Sequence, residues 1–111
     1  MDLRREIIKI IEEGYGLYLA DDCGFSLDAC FDDAIENKNK IASSINDAIN
    51  EMICCGDKGL HSFRNAISYS SYVAVERILY ALKAKSFISQ PLLEQLKENL
   101  EEAYKMYKED L

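Results

Sequence analysis

The chain has no tryptophan, one histidine, one proline and five glycines among 111 residues. A lone imidazole excludes multi-histidine metal centres and leaves little room for histidine-based acid and base catalysis. So few prolines and glycines weigh against a turn-rich β-sandwich and against a low-complexity tail. No apolar stretch approaches the roughly 18 residues of a membrane-spanning helix. The first residues, MDLRREIIKIIEE, place acids inside the apolar pattern, unlike the core of a secretory signal. A soluble, cytosolic protein is expected. A glycine-rich phosphate loop, a serine elbow and a paired-histidine zinc motif are all missing.

Cysteine is present, but not in a pattern that builds a site. Cys23 and Cys30 are separated by six residues and Cys54 and Cys55 are adjacent, so neither pair has zinc-ligand spacing. Cys30 falls on an apolar stripe and Cys54 follows Met52 and Ile53 at a helix end. Burial as small hydrophobes is therefore expected, with no metal and no disulfide.

Hydrophobic residues make up 49% of the chain and charged ones 30%, a globular composition for a single domain spanning residues 1–111. Its apolar spacing is helical throughout. Leu3, Ile7, Ile10 and Ile11 open a first helix after Asp2, which Tyr15, Tyr18 and Leu19 extend toward Ala20 despite Gly14 and Gly16. Ser26 is the next N-cap, with Phe25 and Cys30 as a staple. From there Leu27, Phe31, Ala34, Lys38, Ile41, Ile45, Ala48 and Met52 alternate steps of four and three. A break or bend is expected in Asn37-Lys38-Asn39-Lys40, because asparagine is a poor helix former. Gly56 caps that segment and GDKG turns the chain.

A third segment runs from about Leu60 to Lys85, with the nearly continuous apolar run Val73 to Leu82 marking a central helix. Ser89 then caps a last helix with Pro91 in its first turn, Ile88 and Leu93 at the staple positions, and Leu92, Leu96, Leu100, Ala103 and Tyr107 on one stripe. The fold class is all-α, a compact helical bundle of four to five helices.

Catalytic readings fare poorly. His61 and Ser62 are adjacent, and neighbours in a helix do not face each other, so His61 reads as a surface or capping group. Helical ribonucleases of the HEPN type carry an arginine four to six residues before their histidine, whereas here Arg64 follows His61. Carboxylate-metal hydrolysis has the pairs Asp28/Asp32, Asp32/Glu36 and Asp33/Glu36 at helical spacing, but no matching group on a second helix; Glu94 and Glu98 read as surface positions. No cofactor is implied, and the chain is not expected to be an enzyme.

The charge speaks most clearly. Twenty acids against 13 Lys and Arg give a net charge of −7. Residues 1–57 hold 13 acids and 5 bases, whereas residues 58–111 hold 7 and 8. Direct nucleic-acid binding is disfavoured, since phosphates demand a basic footprint. The stretch DDCGFSLDACFDDAIE carries Asp21, Asp22, Asp28, Asp32, Asp33 and Glu36 with no Lys or Arg. With Leu27, Phe31 and Ala34 turned inward, Asp28, Asp32 and Glu36 share one outer stripe and Asp33 the other flank. A solvated helix face usually mixes signs, because like charges four apart repel by a few tenths of a kcal/mol. Such a patch would steer a cationic partner, raising its on-rate roughly 10- to 1000-fold at low salt. Tyr69 and Tyr72, set among Ser68, Ser70 and Ser71, add the rigid rings and adaptable hydroxyls of recognition surfaces.

A small, acidic, helical chain with a one-signed patch and no catalytic constellation resembles the bacterial immunity proteins that neutralise cognate toxins. The resemblance rests on DDCGFSLDACFDDAIE and the overall charge, at the level of class, and brings no motif. It implies occlusion: the acidic face docks over the basic residues of a toxin domain, for instance a nuclease, while aromatic neighbours anchor the complex. The rival is a small helical adaptor or scaffold subunit, which would expose an apolar stripe, from Leu27 to Met52 or Val73 to Leu82.

Overall fold

A computed structural model describes residues 2–13 and 35–110. Within them the chain is entirely helical: α1 (Arg4–Glu12), α2 (Lys38–Cys55), α3 (Leu60–Tyr69), α4 (Tyr72–Ala84) and α5 (Gln90–Glu109), with no strand among the described residues. The expected all-α bundle is what forms. α3 packs between α2 and α5, α1 lies against α2 and α4, and α4 closes onto α5. All five feed one core, in which Ile7, Ile10, Ile41, Ile45, Ile49, Phe63, Leu79, Leu82, Leu96 and Leu100 are fully buried. Each such side chain stabilises the fold by about 1.5–3 kcal/mol relative to exposure. Of the stripes Leu27 to Met52 and Val73 to Leu82 that an adaptor would expose, Ile41, Ile45, Ala48, Ile78, Leu79 and Leu82 lie in the core, whereas Leu27, Phe31 and Ala34 lie outside the described residues.

Several sequence signals act where they stand. Ser89 Oγ accepts the Leu92 N–H at 3.3 Å, Pro91 sits in the first turn of α5, and Ile88 and Leu93 are both buried beside it. At the first helix the cap is displaced by one residue: Leu3 occupies the N-cap, while the Asp2 carboxylate accepts the Arg4 N–H at 3.1 Å. Buried Leu3 donates its own N–H to Asn46 Oδ1 at 2.8 Å, which ties α1 to the middle of α2. α2 begins at Lys38 with Asn37 as its N-cap, in the asparagine-rich place where the long apolar repeat invites a break. The predicted extension of α1 to Ala20, the Ser26 cap and its Phe25/Cys30 staple lie outside the described residues, as do Cys23 and Cys30.

Between α2 and α3 the turn is fixed by contact. Gly56 takes a left-handed φ of 67° and its N–H reaches Met52 O at 3.3 Å; Gly59 follows at φ 68° with its N–H on Asp57 Oδ1 at 2.9 Å. A Cβ on Gly59 would stand 2.9 Å from Ala48 Cα, so glycine is what lets the turn lie against α2.

Two expectations need correction. The segment from Leu60 to Lys85 is two helices, divided at Ser70 and Ser71. Ser70 Oγ donates back to Ala66 O at 2.8 Å, ending α3, and Ser71 Oγ accepts the Ala74 N–H at 3.1 Å, starting α4. Paired serines offer the backbone these alternatives to a continuous helix, and apolar periodicity does not register them. Second, Cys54 and Cys55 are exposed rather than buried. The last turn of α2 projects past the core, leaving Ile53 also 49% exposed.

Candidate functional site

Of the residues singled out for partner binding, Asp21, Asp22, Asp28, Asp32 and Asp33 lie outside the described residues. Glu36 is exposed, two residues before α2. Its neighbour Asn37 donates a side-chain N–H to the Tyr69 carbonyl at 3.3 Å, so the end of the acidic stretch is tied to the end of α3. Upstream of residues 14–34, Glu12 pairs with Lys38 at 2.7 Å and Glu13 with Lys85 at 3.1 Å. Outside residues 14–34 the chain carries 15 acids and 13 bases; within them it carries five acids and no base.

Tyr69 and Tyr72 are both half-buried against the core and have different ring partners. Lys40 Nζ lies 5.0 Å from the Tyr69 ring centre. Tyr72 stacks on Tyr104 of α5, with centroids 4.5 Å apart and planes 21° from parallel. The α3–α4 break stands between the two tyrosines.

Tyr72 instead opens a groove between α4 and α5. Its lining is Tyr72 and Glu76 from α4 and Glu94, Lys97, Glu98 and Glu101 from α5, around a volume of about 460 Å³ open to solvent. The α5 residues follow i, i+3, i+4, i+7 spacing, which puts them on one flank of the helix beside the buried stripe Leu93, Leu96, Leu100. Four carboxylates therefore face one lysine. Lys97 Nζ stands 4.8 Å from the centre of the Tyr80 ring, itself 37% exposed. The Tyr80 hydroxyl, with the carboxylates of Glu76 and Glu101, holds the Lys97 ammonium above its ordinary range. Tyr72 donates its hydroxyl to Glu76 Oε2 at 3.3 Å. Burial first, then the negative charge of Glu76 and Glu101, pushes the Tyr72 phenol up to about 12.

Among the described residues no three His, Cys, Asp or Glu come together closely enough to hold a metal ion. The groove carboxylates are spread along a trough rather than gathered at a point. That spacing suits an extended cationic surface, in which successive ammonium or guanidinium groups each meet one acid while aliphatic stems lie on the tyrosine rings. Sequence reading dismissed Glu94 and Glu98 as surface positions. The i, i+4, i+7 run Glu94, Glu98, Glu101 was available as a signal; the approach of Tyr72 and Glu76 from α4 was not, because it depends on the break at Ser70 and Ser71.

No described helix is long and apolar enough to cross a membrane. Compared with family models, with curated proteins and with solved structures, the chain matches none.

Proposed function

We propose that the chain is a non-catalytic binding protein that docks a basic protein partner, in the manner of an immunity protein occluding a cationic toxin domain. The observation that carries this reading is the α4–α5 groove, where Glu76, Glu94, Glu98 and Glu101 surround a single Lys97 beside the Tyr72/Tyr104 stack. It is joined by the sequence fact that residues 14–34 add five acids and no base. Elsewhere five carboxylates, those of Asp2, Glu12, Glu13, Glu102 and Asp110, each hold an Arg or Lys. A trough in which four carboxylates share one lysine carries an electrostatic preference for a cationic partner. Tyrosine stacks supply rigid apolar area at small entropic cost, so charge sets the encounter and register while the rings lengthen the lifetime.

Burial of Ile41, Ile45, Ala48, Ile78, Leu79 and Leu82 weighs against the adaptor reading over the described residues. The test uses tagged protein as bait in extracts of its native host, at low and at high salt. A single basic protein, retained by the wild type, bound more slowly as salt rises and lost from both Glu94→Lys/Glu98→Lys/Glu101→Lys and Asp28→Lys/Asp32→Lys/Glu36→Lys, is the expected result. Retention of the same protein by both variants would remove the acidic surfaces from the mechanism. A salt-indifferent multi-subunit complex would favour the adaptor.

A further inference from the structure

A different side of the molecule carries the opposite chemistry. In a chain with 20 acids, α3 has none: its sequence LHSFRNAISY holds one arginine and the only histidine. Its apolar and small residues Phe63, Ala66 and Ile67 turn into the core. The other face displays His61, Arg64, Asn65 and Ser68, again at i, i+3, i+4, i+7 spacing. Together with half-buried Tyr107 of α5 they line an open pocket of about 250 Å³. His61, Arg64 and Asn65 can each donate hydrogen bonds into it, whereas the Ser68 hydroxyl donates to the Asn65 carbonyl at 2.7 Å. His61 lies in the first turn of α3, at the positive end of the helix dipole. One anion already reaches this face from within the chain: the carboxylate of Asp110, just past the end of α5, accepts a hydrogen bond from Arg64 Nη2. Asp110 is 62% exposed and Arg64 31%, so the carboxylate comes from the solvent side and can leave without uncovering the core.

We propose that this pocket binds a small phosphate monoester, with Arg64 and His61 on the phosphate, the Asn65 side chain completing its hydrogen bonds, and the organic group lying on the Tyr107 ring. Asp110 is the displaceable occupant. A carboxylate satisfies the arginine alone, whereas a phosphate has three terminal oxygens to share among three donor side chains, and an arginine fork matches it bidentately. The ring explains why an organic ester is favoured over the bare ion. This site is independent of the acidic groove and does not rest on the binding role proposed for it.

The test follows the single imidazole of the chain by proton NMR while phenyl phosphate is titrated in, with inorganic phosphate in a parallel arm. A saturable shift of the His61 and Tyr107 resonances is expected, with inorganic phosphate binding more weakly. Asp110→Asn, which removes the competing carboxylate from an exposed position, should tighten phenyl phosphate at least threefold. Arg64→Gln should weaken it at least tenfold. Non-saturating shifts, an unchanged affinity in Asp110→Asn, or equal affinity for the two probes would each overturn the assignment. Should Arg64→Gln fail to fold, the Asp110→Asn arm and the two-probe comparison decide.

Discussion

Two flanks of α5 treat acidic residues in opposite ways. On one, Glu102 pairs with Lys58 at 3.1 Å, and beyond the helix Asp110 pairs with Arg64. On the other, Glu94, Glu98 and Glu101 line a groove whose one cation, Lys97, stands on Tyr80. The same residue type on one helix is thus neutralised against α3 and its preceding turn and left crowded against α4. The helix dipole does not explain the difference, since no acid lies in the first turn of α5, Glu101 stands three turns in and Glu76 faces it from α4. The lesson is that the sign of a surface is set by which neighbour a helix flank meets, not by its own composition.

Between the two faces lies the core stripe of α5, and breaking it should have the largest effect. Leu96→Ala removes a fully buried side chain and should cost about 2–5 kcal/mol in urea unfolding, loosening both faces together. An effect below about 1 kcal/mol would contradict the packing described. A sharper cut separates the faces. Glu94→Lys/Glu98→Lys/Glu101→Lys should slow association with a basic partner tenfold or more at low salt, whereas Glu102→Gln should leave it unchanged and alter stability by less than about 1 kcal/mol, as exposed ion pairs do. Equal effects would erase the distinction between them. A change confined to the paired side is Gly59→Ala, which puts a Cβ against Ala48 at a left-handed φ and should destabilise by about 1–3 kcal/mol without touching the groove.

How much of this was legible beforehand depends on the range of the cause. The Ser89-Gln90-Pro91 start, the Gly56 stop and the stripe Leu96, Leu100, Ala103 are local, and they were read directly from the chain. The division of Leu60 to Lys85 was missed because Ser70 and Ser71 act through hydroxyl bonds that apolar periodicity does not register. Exposure of Cys54 and Cys55 was missed because it depends on where α2 outruns its neighbours, a tertiary fact. The groove needed both: once α4 starts at Tyr72, that ring stacks on Tyr104 and brings Glu76 opposite Glu98 and Glu101. The acidic stretch from Asp21 to Glu36 was visible at once because charge counting needs no geometry.

The finest test of the comparison is pH. In the folded protein Tyr72 holds its proton to about 12, against an ordinary value of 10.0, through burial and the charges of Glu76 and Glu101. Between those two values the unfolded chain releases this proton while the folded chain keeps it, so stability falls as pH rises from about 10 to 12 and is unaffected below. Ultraviolet titration should show a late tyrosine ionisation at about 12. Tyr72→Phe should remove that late step. Glu76→Gln and Glu101→Gln should each move it toward 10, because each takes away a negative charge that opposes phenolate. On the paired side of α5, Glu102→Gln should leave it in place. A late step that ignores Glu76→Gln and Glu101→Gln would mean that burial alone holds the proton, and the groove carboxylates would then be as well screened as those bound in ion pairs.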